Sequence, residues 1–127
     1  MFFFQPTSPF IKVETIKKMI KIYKKNTKVN SIISVYKVPN KYNYVNQRKI
    51  IKNSEMKFIF KKKKKYFKRQ NKPEVFVHGN LYSIRITEFI KKNSFFLKPI
   101  KTVEIKSFKE SIDIDNINDL NLAKKFV

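Results

Sequence analysis

Apolar and polar positions along the first third of the chain predict a strand, a loop, a helix and a second strand. Residues 1–4 form an uninterrupted apolar run, which is typical of a short buried strand in a parallel sheet. The QPTSP segment at residues 5–9 contains two prolines and predicts a loop. Apolar side chains recur at helical spacing in residues 13–25, with lysines between them, and residues 31–38 are rich in β-formers. This order indicates a β-α-β unit whose two strands run parallel.

The remainder of the chain contains shorter signals that extend the α/β pattern. Thr87 is expected to cap a short helix over residues 87–92. Asn116 and Asp119 have the N-cap and N3 spacing of a capping box, which predicts a terminal helix. Further short strands are predicted at residues 56–60, 74–77, 81–86, 102–105 and 112–114.

The excess of basic residues in the chain has two interpretations. Lys and Arg total 30 against 9 Asp and Glu, for a formal charge of +21, and only three residues are arginines. Lys, Asn, Ile and Phe, whose codons are rich in A and T, supply more than half of the residues, so one interpretation is that the charge reflects a composition bias alone. The other reading is a basic nucleic-acid-binding protein of the ribosomal type. The five-lysine run at residues 61–65 is likewise either a solvated loop or a phosphate-binding patch.

Rare residue types exclude several kinds of site. The absence of cysteine excludes disulfides, Cys-ligated zinc and a cysteine nucleophile. His78 is the only histidine, so one chain cannot supply a multi-histidine metal site. Gly79 is the only glycine, which excludes a Walker loop or a GxGxxG turn within these residues. No apolar stretch approaches the ~20 residues of a membrane-spanning helix, and no signal peptide is visible, so we expect a cytoplasmic location.

The aspartates are concentrated near the end of the chain. Asp113, Asp115 and Asp119 are the only three, and Asp113 and Asp115 are separated by one residue. On a strand, that spacing places both carboxylates on one face, where they suit Mg²⁺, a cation that prefers oxygen ligands. The alternative is that they serve only as turn and helix-cap groups, as we expect of Asp119.

Several motifs together resemble one enzyme family, the acylneuraminate cytidylyltransferases (CMP-sialic acid synthetases). They occur in the family's order and span most of the chain. They are the QPTSP segment, Ser34-Val35, Arg69-Gln70 with Pro73, Gly79-Asn80-Leu81-Tyr82, Phe95-Phe96, and the SIDID segment at residues 111–115, followed by Asp119-Leu120 and Ala123.

The resemblance implies a fold and the part of that fold which this chain supplies. It implies an α/β fold, the C-terminal part of a Rossmann-like nucleotidyltransferase with a mixed sheet. Residues 1–127 are then a partial, N-terminally truncated cytidylyltransferase domain, with a dimerisation arm over about residues 40–80 that makes a homodimer. The family's glycine-containing CTP loop is expected upstream, in an N-terminal half that could be a separate polypeptide. The isolated chain is therefore expected to be inactive.

The resemblance also implies a reaction and a set of site residues. CMP is transferred from CTP to an N-acylneuraminate-like sugar, a nonulosonic acid of the neuraminic, legionaminic or pseudaminic type, and pyrophosphate is released. Asp113 and Asp115 are expected to bind Mg²⁺ as the catalytic pair, and Arg69 to reach the partner subunit's site and pair with the sugar carboxylate. The substrate-binding residues implied are Gln5, Thr7, Ser8, Arg69, Asn80, Tyr82, Phe95 and Phe96.

One motif departs from the family pattern. The usual Asn-Gly pair before the tyrosine is reversed here to Gly79-Asn80, and His78 falls near the position of the family's asparagine. The sugar-binding role of Asn80 and the role of His78 therefore stay open. The non-enzymatic alternative, a basic nucleic-acid-binding protein, is disfavoured by the low arginine content and by the aspartates near the C-terminus.

Overall fold

The chain divides into two compact units. The computed structural model describes residues 1–60, 66 and 68–127, so the five-lysine run at residues 61–65 lies outside the described residues. The first unit comprises Met1–Tyr36 and His78–Val127, and the second comprises Lys37–Val77. The second unit nearly coincides with the range predicted as a dimerisation arm.

Strands and helices alternate along the chain. The strands of the described residues are β1 (Phe2–Phe4), β2 (Ser31–Lys37), β3 (Arg48–Ile50), β4 (Met56–Phe58), β5 (Phe76–Ile84) and β6 (Ile100–Glu104). The α-helices are α1 (Val13–Lys25), α2 (Ile86–Lys92) and α3 (Ile117–Lys124). The helix predicted over residues 13–25 is confirmed at both ends. Among the described residues, none of the helices is long and apolar enough to cross a membrane.

The main sheet is mixed, as predicted, with strand order β1-β5-β2-β6. β1 pairs with β5 in antiparallel register, and β2 pairs with β6 in parallel register. The amide of Arg85, just after β5, donates to the carbonyl of Asn30, just before β2, at 2.9 Å, so these two strands are antiparallel. β1 and β2 therefore run in the same direction, as the β-α-β pattern predicts, but β5 lies between them.

Four local predictions are wrong. β1 is an edge strand paired antiparallel, and Phe4 is 53% exposed, so the strand is not buried in a parallel sheet. The strands predicted at 74–77 and 81–86 are one strand, β5, which runs through Gly79. Residues 112–114 form no strand, because they follow a 3₁₀ turn and hydrogen-bond to a loop. Thr87 lies inside α2, whose N-cap is Arg85.

The apolar core lies between α1 and the sheet. Its buried members come from the helix, the loop after it and three strands: Met19, Val29, Ile32, Leu81 and Val103. Tyr23 packs against this core and donates its hydroxyl to the Ser83 carbonyl at 2.9 Å. The helix therefore packs its apolar face on the sheet and leaves its lysines in water.

Gly79 occupies a position in β5 where the neighbouring strand comes very close. A Cβ added there would lie 2.7 Å from Ser34 Oγ, closer than real Cβ contacts allow. The same Ser34 Oγ accepts the Leu81 amide at 3.0 Å in a buried site. Since the hydroxyl is held by this hydrogen bond, a larger residue at position 79 would have to displace it.

The described residues of the second unit bury little apolar surface. Its hairpin pairs β3 with β4, and all six strand residues are exposed. The buried side chain of Asn43 donates from Nδ2 to the Pro73 carbonyl at 2.9 Å and accepts the Val45 amide at 3.2 Å. A polar side chain thus holds the two ends of this unit's backbone together.

Candidate active site

The two most specific sequence motifs meet in the first unit. The Ser8 hydroxyl donates to Asp113 Oδ1 at 3.0 Å, and the Ile114 amide donates to the Thr7 carbonyl at 2.9 Å. The loop after β1 is thereby attached to the segment before α3, about a hundred residues later. Ser8 is buried, whereas the side chain of Thr7 is exposed. The structure brings together two motifs that the sequence could associate only by resemblance.

The three aspartates occupy different environments. Asp113 is half-buried and bonded to Ser8, and Asp115 is exposed. Asp119 Oδ2 accepts the amides of Asp115 and Asn116, both at 3.1 Å, which completes a capping box at the start of α3. The predicted cap role of Asp119 is confirmed. Because residues 112–114 are not a strand, the strand argument for placing Asp113 and Asp115 on one face does not hold.

Asn80 has a buried side chain with one unpaired atom. The residue is 4% exposed, and its Nδ2 donates to the Glu110 carbonyl at 3.0 Å. Its Oδ1 has no hydrogen-bond partner among the described residues. The backbone carbonyl of Asn80 accepts the backbone amide of Gln5 at 3.3 Å, which places Asn80 beside the QPTSP loop. A buried acceptor without a donor is costly, so this oxygen is suited to a donor supplied by water or a ligand.

Glu110 is a buried carboxylate that the sequence reasoning missed. Its Oε1 accepts the Thr15 hydroxyl at 2.5 Å and the Lys12 amide at 3.2 Å, at the N-terminus of α1. The positive end of the helix dipole favours a negative charge there. Glu110 thereby ties α1 to the segment that carries Asp113. Its position directly before SIDID was the available signal, but only the fold brings it to Thr15.

Aromatic rings form a cluster on the first unit. Phe3 stacks edge-on against Phe95 at 4.7 Å, and Tyr82 lies 5.6 Å from Phe95 and 6.3 Å from Phe96, measured between ring centroids. The structure therefore brings together the three aromatic residues predicted to line the sugar pocket. We call the group the aromatic cluster; its members are Phe3, His78, Tyr82, Phe89, Phe95 and Phe96.

The Tyr82 hydroxyl links the aromatic cluster to Asp113 electrostatically. Burial raises the pKa of Tyr82, and the negative charges of Asp113 and of Tyr36 when ionised raise it further. The hydroxyl therefore keeps its proton at neutral pH and remains a hydrogen-bond donor. A polar donor and a carboxylate thus lie beside an apolar aromatic surface.

Comparison with known proteins identifies the family of this chain. A family profile described as "Cytidylyltransferase" matches residues 3–127. The chain belongs to the cytidylyltransferase family. It is also 31% identical over 123 residues to a CMP-N,N'-diacetyllegionaminic acid synthase from Legionella pneumophila. The alignment covers 97% of this chain and 51% of that relative, so the chain spans about half of the relative's length.

The carboxylates of this cytidylyltransferase chain fit a magnesium ion in donor type. Asp113 and Asp115 offer hard oxygen ligands, and Asp113 has a second oxygen besides the one bonded to Ser8. Among the described residues, no cluster of three or more His, Cys, Asp or Glu is suited to hold a metal. Mg²⁺ commonly binds through one or two carboxylates and keeps several waters. Two aspartates are therefore enough protein ligands of the right type.

Two predicted substrate residues are not part of this arrangement. The Gln5 side chain is exposed beside the loop, and only its backbone makes a bond to Asn80. Arg69 is exposed on the second unit of the cytidylyltransferase chain, in a shallow depression that also includes Lys41 and Lys72. The pairing of Arg69 with a sugar carboxylate stays a prediction.

Proposed function

We propose that this chain is the sugar-binding part of an enzyme that transfers CMP from CTP to a nonulosonic acid of the acylneuraminate type. The 2-hydroxyl oxygen of the sugar forms a bond to the α-phosphorus of CTP while the α–β phosphoanhydride bond breaks. The sugar hydroxyl loses its proton, and pyrophosphate leaves with the bonding electron pair. The family and the legionaminic acid synthase relative support this reaction class.

The observation that carries the proposal is the attachment of the QPTSP loop to the SIDID segment. The Ser8–Asp113 hydrogen bond and the Thr7–Ile114 backbone bond hold the QPTSP loop against a carboxylate. Positioning and charge neutralisation do most of the work in phosphoryl transfer. A loop fixed against an acidic segment is suited to both tasks, whereas a protein that binds RNA phosphates has no use for a carboxylate there.

We assign roles to the residues of the first unit accordingly. Asp113 and Asp115 would hold Mg²⁺, which screens the triphosphate charge when it is bound. Tyr82, as a neutral donor, would hydrogen-bond the sugar, and Phe95 and Phe96 would pack against its apolar faces and acyl groups. The unpaired Oδ1 of Asn80 would accept a hydroxyl or amide proton of the sugar.

The second unit would act as a dimerisation arm. Its β3–β4 hairpin exposes apolar side chains, and a two-stranded hairpin alone is only marginally stable in water. A second copy of the chain would cover these side chains and bring Arg69 to the partner's sugar. The triphosphate would be bound by a glycine-containing loop in the half of the family sequence that this chain does not match.

The test is pyrophosphate release with CTP, Mg²⁺ and N-acetylneuraminic or N,N'-diacetyllegionaminic acid. We expect no activity from the purified 127-residue chain, and activity when it is fused to the N-terminal half of the Legionella relative. Omission of the sugar is the control. Sugar-dependent activity of the chain alone would contradict the proposal that CTP binding requires the N-terminal half. Salt-sensitive RNA binding, with no response of the fusion to CTP, would favour a nucleic-acid-binding protein.

A further inference from the structure

His78 lies at the edge of the aromatic cluster, on the strand that carries Asn80 and Tyr82. Its ring centroid is 6.3 Å from that of Tyr82 and 6.3 Å from that of Phe96. Because side chains alternate along a strand, positions 78, 80 and 82 lie on the same face of β5. The side chain of His78 is exposed, so a ligand on this aromatic surface can reach it.

The aromatic cluster contains only one group that can carry a positive charge. Its phenylalanines and its tyrosine offer apolar faces and a neutral hydroxyl, and no lysine or arginine is among its members. Histidine is the side chain type whose charge ordinarily changes between about pH 5 and pH 8. A sugar acid bound on these rings would bring a carboxylate, which is ionised throughout that range.

We propose that His78, as an imidazolium, binds the carboxylate of the sugar acid and makes sugar binding depend on pH. This inference rests on the proposed function, because it takes the aromatic cluster as the sugar site. His78, as the partner of the sugar carboxylate, lies in the same unit as the aromatic cluster. Arg69, on the second unit, is then not required for a single chain to recognise the acid.

The groups around His78 define the pH dependence. From its own strand, His78 faces Tyr82, whose neutral hydroxyl is in turn influenced by Asp113 and Tyr36. From the segment after α2 it faces the uncharged Phe96, and Lys98 follows on that segment as an exposed cation. The imidazolium binds a carboxylate better than neutral imidazole does, so the sugar should bind more tightly at low pH. By linkage, the bound sugar raises the pKa of His78.

The experiment is a proton NMR titration of the 127-residue chain. Since the chain has one histidine, its imidazole signals need no assignment among several. The pH titration is run without ligand, with N-acetylneuraminic acid and with the methyl ester of the same sugar. We expect the acid to raise the pKa of His78 by about one unit and the ester to leave it unchanged. The acid should then bind about tenfold more tightly near pH 5.5 than near pH 8.

Two variants sharpen the test. His78→Gln keeps a hydrogen-bonding side chain without the charge, and it should remove the pH dependence of binding while weak binding remains. Lys98→Gln removes an exposed cation two residues after Phe96, and it should leave the pH dependence intact. Equal effects of the two variants would mean that the general positive field, and not His78, attracts the acid, and would overturn the inference.

The outcomes separate this inference from the proposed function. If the sugar shifts the ring signals of Tyr82 and Phe96, but the acid and the ester affect His78 alike, the sugar site stands and the role of His78 is wrong. If neither ligand shifts any signal of the aromatic cluster, the sugar site itself is wrong, and the inference falls with it.

Discussion

The two units of this chain are stabilised in different ways. The first unit buries an apolar core under α1, and its one unpaired buried polar atom among the described residues is Asn80 Oδ1. Among the described residues of the second unit the buried side chains are Asn43 and Val45, and Ile50 on the hairpin is 82% exposed. The first unit encloses an apolar core and leaves one buried polar side-chain atom unpaired, as a ligand site does, although it also exposes large apolar side chains such as Ile90 and Phe108. The second unit leaves apolar surface open, as a protein interface does.

The largest expected effect tests the core of the first unit. Leu81 is fully buried, so Leu81→Ala removes packing on every side and leaves a cavity. We expect the free energy of unfolding to fall by about 2–5 kcal/mol, measured by urea denaturation. Ile50→Ala is the matched control in the second unit and should change it by about 0.5 kcal/mol or less. Equal losses would mean that the exposed hairpin contributes as much as the core, and the contrast would be wrong.

The next effect concerns the carboxylates of the first unit. In the fused, full-length enzyme, Asp113→Asn and Asp115→Asn keep the shape but remove the charge that would hold Mg²⁺. We expect activity to fall by at least about 10–100-fold for each. Asp119→Asn is the control, since its position is in the capping box, and it should cost about 1 kcal/mol of stability or less with little loss of activity. Near-full activity of both Asp113→Asn and Asp115→Asn would rule out the metal assignment.

A smaller effect tests the polar anchor of the second unit. Asn43→Ala removes the hydrogen bonds to the Pro73 carbonyl and from the Val45 amide. We expect a loss of about 1–3 kcal/mol, because the groups left behind stay buried without partners. Amide hydrogen exchange should accelerate at Val45 and its neighbours and stay unchanged at Leu81. Acceleration at both places would show that the two units unfold as one.

The smallest expected change in stability tests the interface. Ile50→Lys places a charge on an exposed position of the hairpin, so the unfolding free energy should change by about 0.5 kcal/mol or less. The proposed dimer should nevertheless dissociate, as measured by light scattering across a concentration series. Moderate salt is needed, where the Debye length is about 8–10 Å, because a chain of charge +21 repels its copies. A wild-type chain that is monomeric throughout the series would contradict the arm assignment.

Local patterns predicted the helices better than the sheet. The period of apolar residues fixes α1, and the Asn116–Asp119 pair fixes the start of α3, because both signals lie within a few residues. The place of β5 between β1 and β2 could not be predicted, since the partner of β1 follows it by almost eighty residues. The prediction of a buried parallel strand failed for this reason: an apolar run does not specify its neighbour.

The sequence predicted those residues of the candidate site that belong to a family motif. It did not predict the residues that reach the site only through the fold. The resemblance supplied Tyr82, Phe95 and Phe96, which the structure brings together. Phe3 and Glu110 were missed, because one was assigned to a buried strand and the other has no local partner. The Ser8–Asp113 bond joins two predicted residues, but no spacing rule relates positions so far apart.

The close approach at Gly79 has a consequence for how the composition of this chain arose. Glycine codons begin with two guanines, so a composition biased toward A- and T-rich codons disfavours glycine. One glycine is left in 127 residues, and it stands where a Cβ would lie 2.7 Å from a serine oxygen. A composition rich in A- and T-type codons and the steric limit at position 79 favour different residues, and the residue present is the one that the steric limit admits. In a chain of such biased composition, the rarest residue marks a position where the fold leaves no room for a Cβ.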